Sequence, residues 1–288
     1  MKIWALLSNV DDILEAYGEE ALKRDNSVFE TILIDYVDIK IENDADLKIF
    51  HKGEEIALPD AFWPMISNTD SFALENLLLN AGVKSVIDLG EVAVARSKVA
   101  TYQRLAANGI RVPASVVFFN HPDKAAILEK LNYPFVVKPD SGFGGEGVTL
   151  IHSESELDAY LSGLKYGTAY IAQEYIATSR GKDVRVIILD GEYLYSSMRS
   201  ATDPNEFRSN VHVGGELIEY DIDAPTLEMC KKAAGLFNLP LIGLDLMFGD
   251  GEFVLAEVNA FPGLFHDNME KAARVVLEKF LSANGANR

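Results

Sequence analysis

The chain of 288 residues contains one cysteine, Cys230, so an internal disulfide is excluded and a reducing compartment is expected. No stretch reaches the ~18 uninterrupted apolar residues that a membrane-spanning helix requires. The opening MKIWALLSNVDDILEAYGEE turns acidic too early for a signal peptide, so a cytoplasmic protein is expected. Basic residues are scarce: 26 Lys and Arg against 44 Asp and Glu leave a net charge of −18, with no Lys/Arg cluster. Such a chain repels nucleic acid, and no nucleic-acid or membrane partner is expected. There is no internal repeat and no low-complexity tract. The five histidines show no zinc spacing, and neither a G-x-S-x-G elbow nor the kinase H-R-D and D-F-G signatures occur. Hydrolase and protein-kinase chemistry are therefore disfavoured.

What is present is a periodic α/β pattern. Over the first ninety-odd residues, KIWALLS, FETILIDY and VKSVIDL read as strands. Asp11 to Arg24 and SFALENLLLNAG read as helices, and LKIFHKGEEIAL as a hairpin around Lys52-Gly53. This predicts a small α/β layer domain. Ser97 caps a helix running to Asn108, SVVFF is a strand, and Pro122 suits the first turn of the next helix. Asp190-Gly191 joins two strands, a helix runs from about Pro225 to Phe237, and another from about Asp267 to Leu281.

The chemistry gathers in a few places. Asp245, Glu257 and Asn259 are hard oxygen donors on two strands, LIGLDLMF and EFVLAEVN, and suit magnesium. Glu257 and Asn259 share a face by strand alternation. A strict two-residue turn at Asp250-Gly251 would put Asp245 on the other face, so the metal reading requires a longer loop or a bulge. Lys138 lies in the apolar strand FVVKP, where a cation needs an anionic partner; the plainer reading is a lysine reaching out from an edge strand. Ser141, Gly142, Gly144, Gly145 and Gly147 follow. The pattern G-x-G-x-x-G precedes a strand, VTLI, so neither a dinucleotide fingerprint nor a Walker loop fits. A glycine hairpin able to fold over phosphates remains. Lys98 could add a phosphate contact. Gln173, Glu174, Tyr175 and Ile176 could border a base, and Asp183 could meet ribose hydroxyls or pair with Lys182 or Arg185. Arg208 and Asn210, with Arg199, could clamp a phosphoryl group and an oxyanion; otherwise they are turn and surface residues. The role of His212 is open.

In order, Lys98, FVVKP with its glycine loop, QEYI, KDVR, EFRSN-x-H-x-GG, Asp245 and the E-V-N of Glu257 to Asn259 resemble the ATP-grasp superfamily. Within it the chain is similar to the RimK-type ligases. The resemblance implies α/β and α+β architecture, an ATP-grasp fold in three parts. These are a Rossmann-like pre-ATP-grasp domain over 1–95, a subdomain with a glycine-rich lid over 96–172, and a metal-binding and catalytic subdomain over 173–288. It implies an ADP-forming ligase that joins a carboxylate to an amino acid amine through an acyl phosphate, with glutamate added to a peptide, protein or cofactor. ATP and two magnesium ions are implied, with manganese as an alternative, and a homo-oligomer is typical. By the same resemblance Lys98 and Lys138 contact phosphates, Gln173 to Ile176 border the adenine, and Asp183 meets the ribose. Asp245, Glu257 and Asn259 hold metal, and Arg208, Asn210 and Arg199 face the reacting groups. Two segments depart from the RimK pattern, FWPMIS and FHDNMEKAARVV, both at places that border substrate in that family. Other readings are a dipeptide or glutathione-like synthetase and a non-catalytic nucleotide-binding regulator.

Overall fold

A computed structural model describes residues 1–7, 28–41, 47–65, 71–120, 122–141, 147–203, 206–207 and 216–284. The expected helix from Asp11 to Arg24 lies outside them. The chain divides into two compact units, one formed by 1–92, 238–241 and 261–288, the other by 93–237 and 242–260.

In the first unit, β1 (Lys2–Leu7), β2 (Val28–Leu33), β6 (Ala61–Pro64) and β7 (Lys84–Ser85) make a parallel sheet in the order β2-β1-β6-β7. Trp4, Leu6, Ile32 and Phe62 are fully buried in it, with Leu74 and Leu78 of α1 (Phe72–Asn80) in the same core. Burying each such side chain contributes roughly 1.5–3 kcal/mol. The β3 (Val37–Ile41), β4 (Leu47–His51) and β5 (Glu54–Ile56) strands form an antiparallel sheet of their own. Its β4–β5 turn is the expected Lys52-Gly53, both at positive φ (53° and 84°). VKSVIDL yields only the two-residue β7. Asp88 stops it by accepting from the N–H groups of Gly90 and Glu91, which starts α2 (Leu89–Arg96).

The second unit holds two sheets. α3 (Lys98–Ala107) begins where Ser97 caps it, the side chain accepting from the Ala100 N–H. β8 (Ser115–Phe118) follows. α4 (Lys124–Lys130) is capped by Asp123, so Pro122 stands just before the cap and not in the first turn. β9 (Phe135–Pro139), β10 (Thr149–Ile151) and β11 (Tyr170–Glu174) complete an antiparallel sheet ordered β10-β9-β11-β8. α5 (Glu154–Ser162), opened by Ser153, packs Leu157 into a core with Phe135, Val137 and Ile151.

The larger sheet runs β14-β13-β12-β15-β16. Its strands are β12 (Lys182–Leu189), β13 (Glu192–Ser200), β14 (Glu216–Glu219), β15 (Leu241–Phe248) and β16 (Phe253–Asn259). α6 (Ala224–Ala234), capped by Asp223, packs against β12 and β13. α7 (His266–Ala283) belongs with the first unit. Its buried Ala272, Ala273, Val276, Leu277, Phe280 and Leu281 recur at helical spacing.

Candidate active site

Two hairpins of the large sheet build the site by the same device. The β12–β13 turn is Asp190-Gly191, with φ of 49° and 82°, which pairs Leu189 with Glu192. One bulge then shifts the ladder, so that Ile188 faces Tyr193 but Ile187 faces Tyr195, and Leu194 is the extra residue. The shift sets Asp183 opposite Arg199. The β15–β16 hairpin turns through Asp250-Gly251, with the Gly249 N–H donating to the Glu252 carbonyl at 2.9 Å. This is the short turn that would separate the three oxygen donors. A bulge at Ala256 restores them: Leu246 faces Leu255, Asp245 faces Glu257 and Gly243 faces Asn259. Asp245, Glu257 and Asn259 therefore share one sheet face, by the bulge route and not the longer loop.

That face is dense with charge. The Asp245 carboxylate is almost fully buried, at 2% exposure, and accepts from two arginines. Arg185 donates through both Nε and Nη2 at 2.7 Å, and Arg199 through Nη2 at 2.7 Å. Burial would raise the carboxyl pKa, but the two guanidinium groups outweigh it and hold it well below the usual carboxylate range. Burial likewise opposes the charge of both arginines, and the carboxylates they pair with, Asp245 for each and Asp183 also for Arg199, more than offset it, raising each. Arg199 also clasps Asp183 through Nε and Nη2, so Asp183 pairs with Arg199 across the β12–β13 ladder. The Asn259 amide stands 3.4 Å from Asp245. Lys98 Nζ lies 3.1 Å from Glu257.

Lys138 faces this cluster from the small sheet. It is buried at 8% exposure, and no ion pair to it is found among the described residues. Burial, then the nearby Lys98 charge, bring its pKa down to about 7. Its Nζ lies 3.5 Å from the Tyr102 hydroxyl, and the ion pair of Lys98 with Glu257 stands beside it. Asp140 directly follows the same strand. Its carboxylate accepts from the Val99 N–H at 2.8 Å and the Ser97 hydroxyl at 2.9 Å, which fixes the start of α3, and thus Lys98, to the end of β9. Lys98 Nζ reaches the Asp140 carbonyl at 3.4 Å.

The expected glycine hairpin does join antiparallel β9 and β10, but Gly142, Gly144 and Gly145 lie outside the described residues. Ser141 is exposed at the exit from β9. Gly147 returns at φ 70°, its carbonyl accepting from the Tyr160 hydroxyl at 3.2 Å. An added Cβ there would meet Pro139 at 3.0 Å. Gln173 is buried on β11 beside Tyr102. Glu174 accepts from the Ala114 N–H at 3.2 Å, Tyr175 meets Phe207 edge-on, and Ile176 is buried. Arg208, Asn210 and His212 lie outside the described residues.

Against known proteins, the RimK-like ATP-grasp domain matches residues 95–281. The chain belongs to the RimK-like ATP-grasp family. As a member it is an ATP-dependent acid–amino-acid ligase that uses a divalent metal, on the ATP-grasp fold read from sequence. It is 30% identical over 230 residues to a probable alpha-L-glutamate ligase of Alkalilimnicola ehrlichii, covering 78% of this chain and 75% of that protein. It is 29% identical over 238 residues to the ribosomal protein bS6–L-glutamate ligase of Escherichia coli, covering 81% and 78%. Human N-acetylaspartylglutamate synthase A is 29% identical over 167 residues, 57% of this chain and 42% of that protein. A RimK domain ATP-grasp protein from Sphaerobacter thermophilus superposes with a TM-score of 0.72 at 16% identity, over 97% of this chain and 99% of that one.

The donor set fits a divalent metal: two carboxylates and an amide oxygen on one face are hard ligands of the kind magnesium takes. Sequence reasoning missed three residues of this cluster: Arg185, Asp140 and Tyr102. Arg185 was legible, since Asp183 and Arg185 alternate in KDVRVIIL, apolar after Lys182 except for these two, and so share a face. Nothing in the sequence marks the other two. Cys230 is buried, and burial pushes its pKa up to about 12.

Proposed function

We propose that this ligase adds L-glutamate to a peptide or protein acceptor. The observation that carries the reading is the bulge-built face on which Asp245, Glu257 and Asn259 stand together, with Lys98 already on Glu257. The names of the relatives support glutamate as the amino acid. In this reading Asp245, Glu257 and Asn259 hold magnesium, as one or two ions, with manganese as a substitute. Mg–ATP supplies, when bound, the phosphoryl group that activates a carboxylate and the positive charge that lets two anions meet. Lys98 and Lys138 hold phosphate oxygens, and Ser141, Gly142, Gly144, Gly145 and Gly147 cover them and exclude water. Gln173 to Ile176 border the base, and Asp183 meets the ribose or holds Arg199 in place. Arg199, Arg208 and Asn210 stabilise charge on the transferring and acyl groups, and losing one such group costs roughly 10²–10³ in rate. The three-part division at about 95 and 172 belongs to the same proposal, as do a cytoplasmic setting and a homo-oligomer.

A small-molecule acceptor is the second reading, favoured by the 29% identity to the human synthase. ADP release is measured with glutamate plus a peptide pool and with free amino acids alone, and products are weighed by mass spectrometry. Glutamate-dependent mass gain on peptides supports the proposal, and turnover with free amino acids alone replaces it with the second reading. Glu257→Gln should abolish ADP formation with the fold intact; full activity in that variant would sink the metal assignment.

A further inference from the structure

The Ala256 bulge decides which face Glu257 occupies, so whatever holds the bulge holds the metal ligand in register. A bulged residue loses its ladder partner, and a buried carbonyl without one is costly. Ala256 is 6% exposed, and the Tyr102 hydroxyl donates to its carbonyl at 2.7 Å. The tyrosine comes from the first turns of α3, the helix that Lys98 opens. The same hydroxyl oxygen lies 3.1 Å from the Gln173 side-chain oxygen and 3.5 Å from Lys138 Nζ. It is buried, and its pKa is raised by burial first and by Glu257 and Asp140 next, so it stays a protonated donor. One hydroxyl thus joins α3, β9, β11 and the bulge of β16.

We propose that Tyr102 is a positioning residue for the metal site, acting by satisfying the Ala256 carbonyl and so fixing the register that turns Glu257 toward Asp245. The proposal rests on Glu257 as a metal ligand. It makes a specific prediction about deletion. Removing Ala256 leaves Leu246 facing Leu255 and Asp245 facing Glu257 in an unbroken ladder. The chain then needs no partner for a bulge.

The test is Mn²⁺ titration of the ADP-saturated full chain, with free Mn²⁺ read by electron paramagnetic resonance. Four variants are used: Tyr102→Phe, Ala256 deleted, both together, and Glu257→Gln. Loss of the donor to a buried carbonyl should weaken Mn²⁺ binding by about tenfold in Tyr102→Phe. In the deletion background the same substitution should change the affinity by less than about threefold, since the two changes are coupled. Parent-like affinity in folded Tyr102→Phe, or the full loss repeated in the deletion background, overturns the proposal. If Tyr102→Phe does not fold, the double variant decides: a folded, Mn²⁺-binding protein supports the role, and an unfolded one overturns it. Parent-like affinity in Glu257→Gln overturns the metal assignment itself. Weak binding there with parent-like binding in Tyr102→Phe removes only the role of Tyr102.

Discussion

Lys138 is a cation held out of water beside another cation, and the chain should be measurably less stable for it. Folded, its pKa is about 7; unfolded, it returns to 10.5. Between those values the unfolded chain carries a proton that the folded chain lacks, so stability rises with pH across the window and is lowest below about pH 7. At ~1.36 kcal/mol per pH unit, the fall from 10.5 to about 7 amounts to ~5 kcal/mol of destabilisation by the charged form. Lys138→Met keeps the length of the side chain and removes the charge. The nucleotide-free variant should therefore be more stable than the parent at pH 7. The gap should close by ~1.4 kcal/mol per pH unit between about pH 8 and 10. Urea denaturation of both proteins at several pH values, followed by tryptophan fluorescence and circular dichroism, gives the difference directly. A gap that does not change with pH refutes the argument. The same variant should lose nucleotide affinity, which sets the cost of the lysine against its use.

Arg185→Met should destabilise the metal-free chain by ~3 kcal/mol at neutral pH, since it removes one of the two arginines that pair with the buried Asp245. Because the folded Asp245 pKa is depressed, that difference should fade as pH drops below ~4, which acid denaturation curves would show. Gly249→Ala places a Cβ 2.6 Å from the Glu252 carbonyl oxygen, the acceptor that closes the β15–β16 turn. It should cost ~1–3 kcal/mol by thermal melting, and an unchanged melting temperature would count against the turn as described.

Much of the fold was legible because local chemistry wrote it. Ser97 caps the helix expected of it, and Lys52-Gly53 and Asp190-Gly191 make the expected turns. The apolar FVVKP is a buried strand whose lysine faces inward. The register was not legible. Strand alternation predicts faces only until a bulge adds one residue, and neither Leu194 nor Ala256 differs in kind from its neighbours. What stabilises the Ala256 bulge is Tyr102, 154 positions away. The pairing of Asp183 with Arg199 depends on the Leu194 bulge in the same way. VKSVIDL pairs as a strand only over Lys84–Ser85, because Asp88 accepts from the Gly90 and Glu91 N–H groups and turns the chain into a helix.

The carboxylates of the proposed metal site pair with Lys98, Arg185 and Arg199. A bare divalent ion would have to evict these side chains and leave them stranded, two of them in a buried setting. An ion arriving on a triphosphate brings new anions for the cations it displaces. The site is therefore built as an ion exchanger: it should take its metal from the nucleotide complex, show little affinity for free magnesium, and keep that order of addition even when magnesium is abundant.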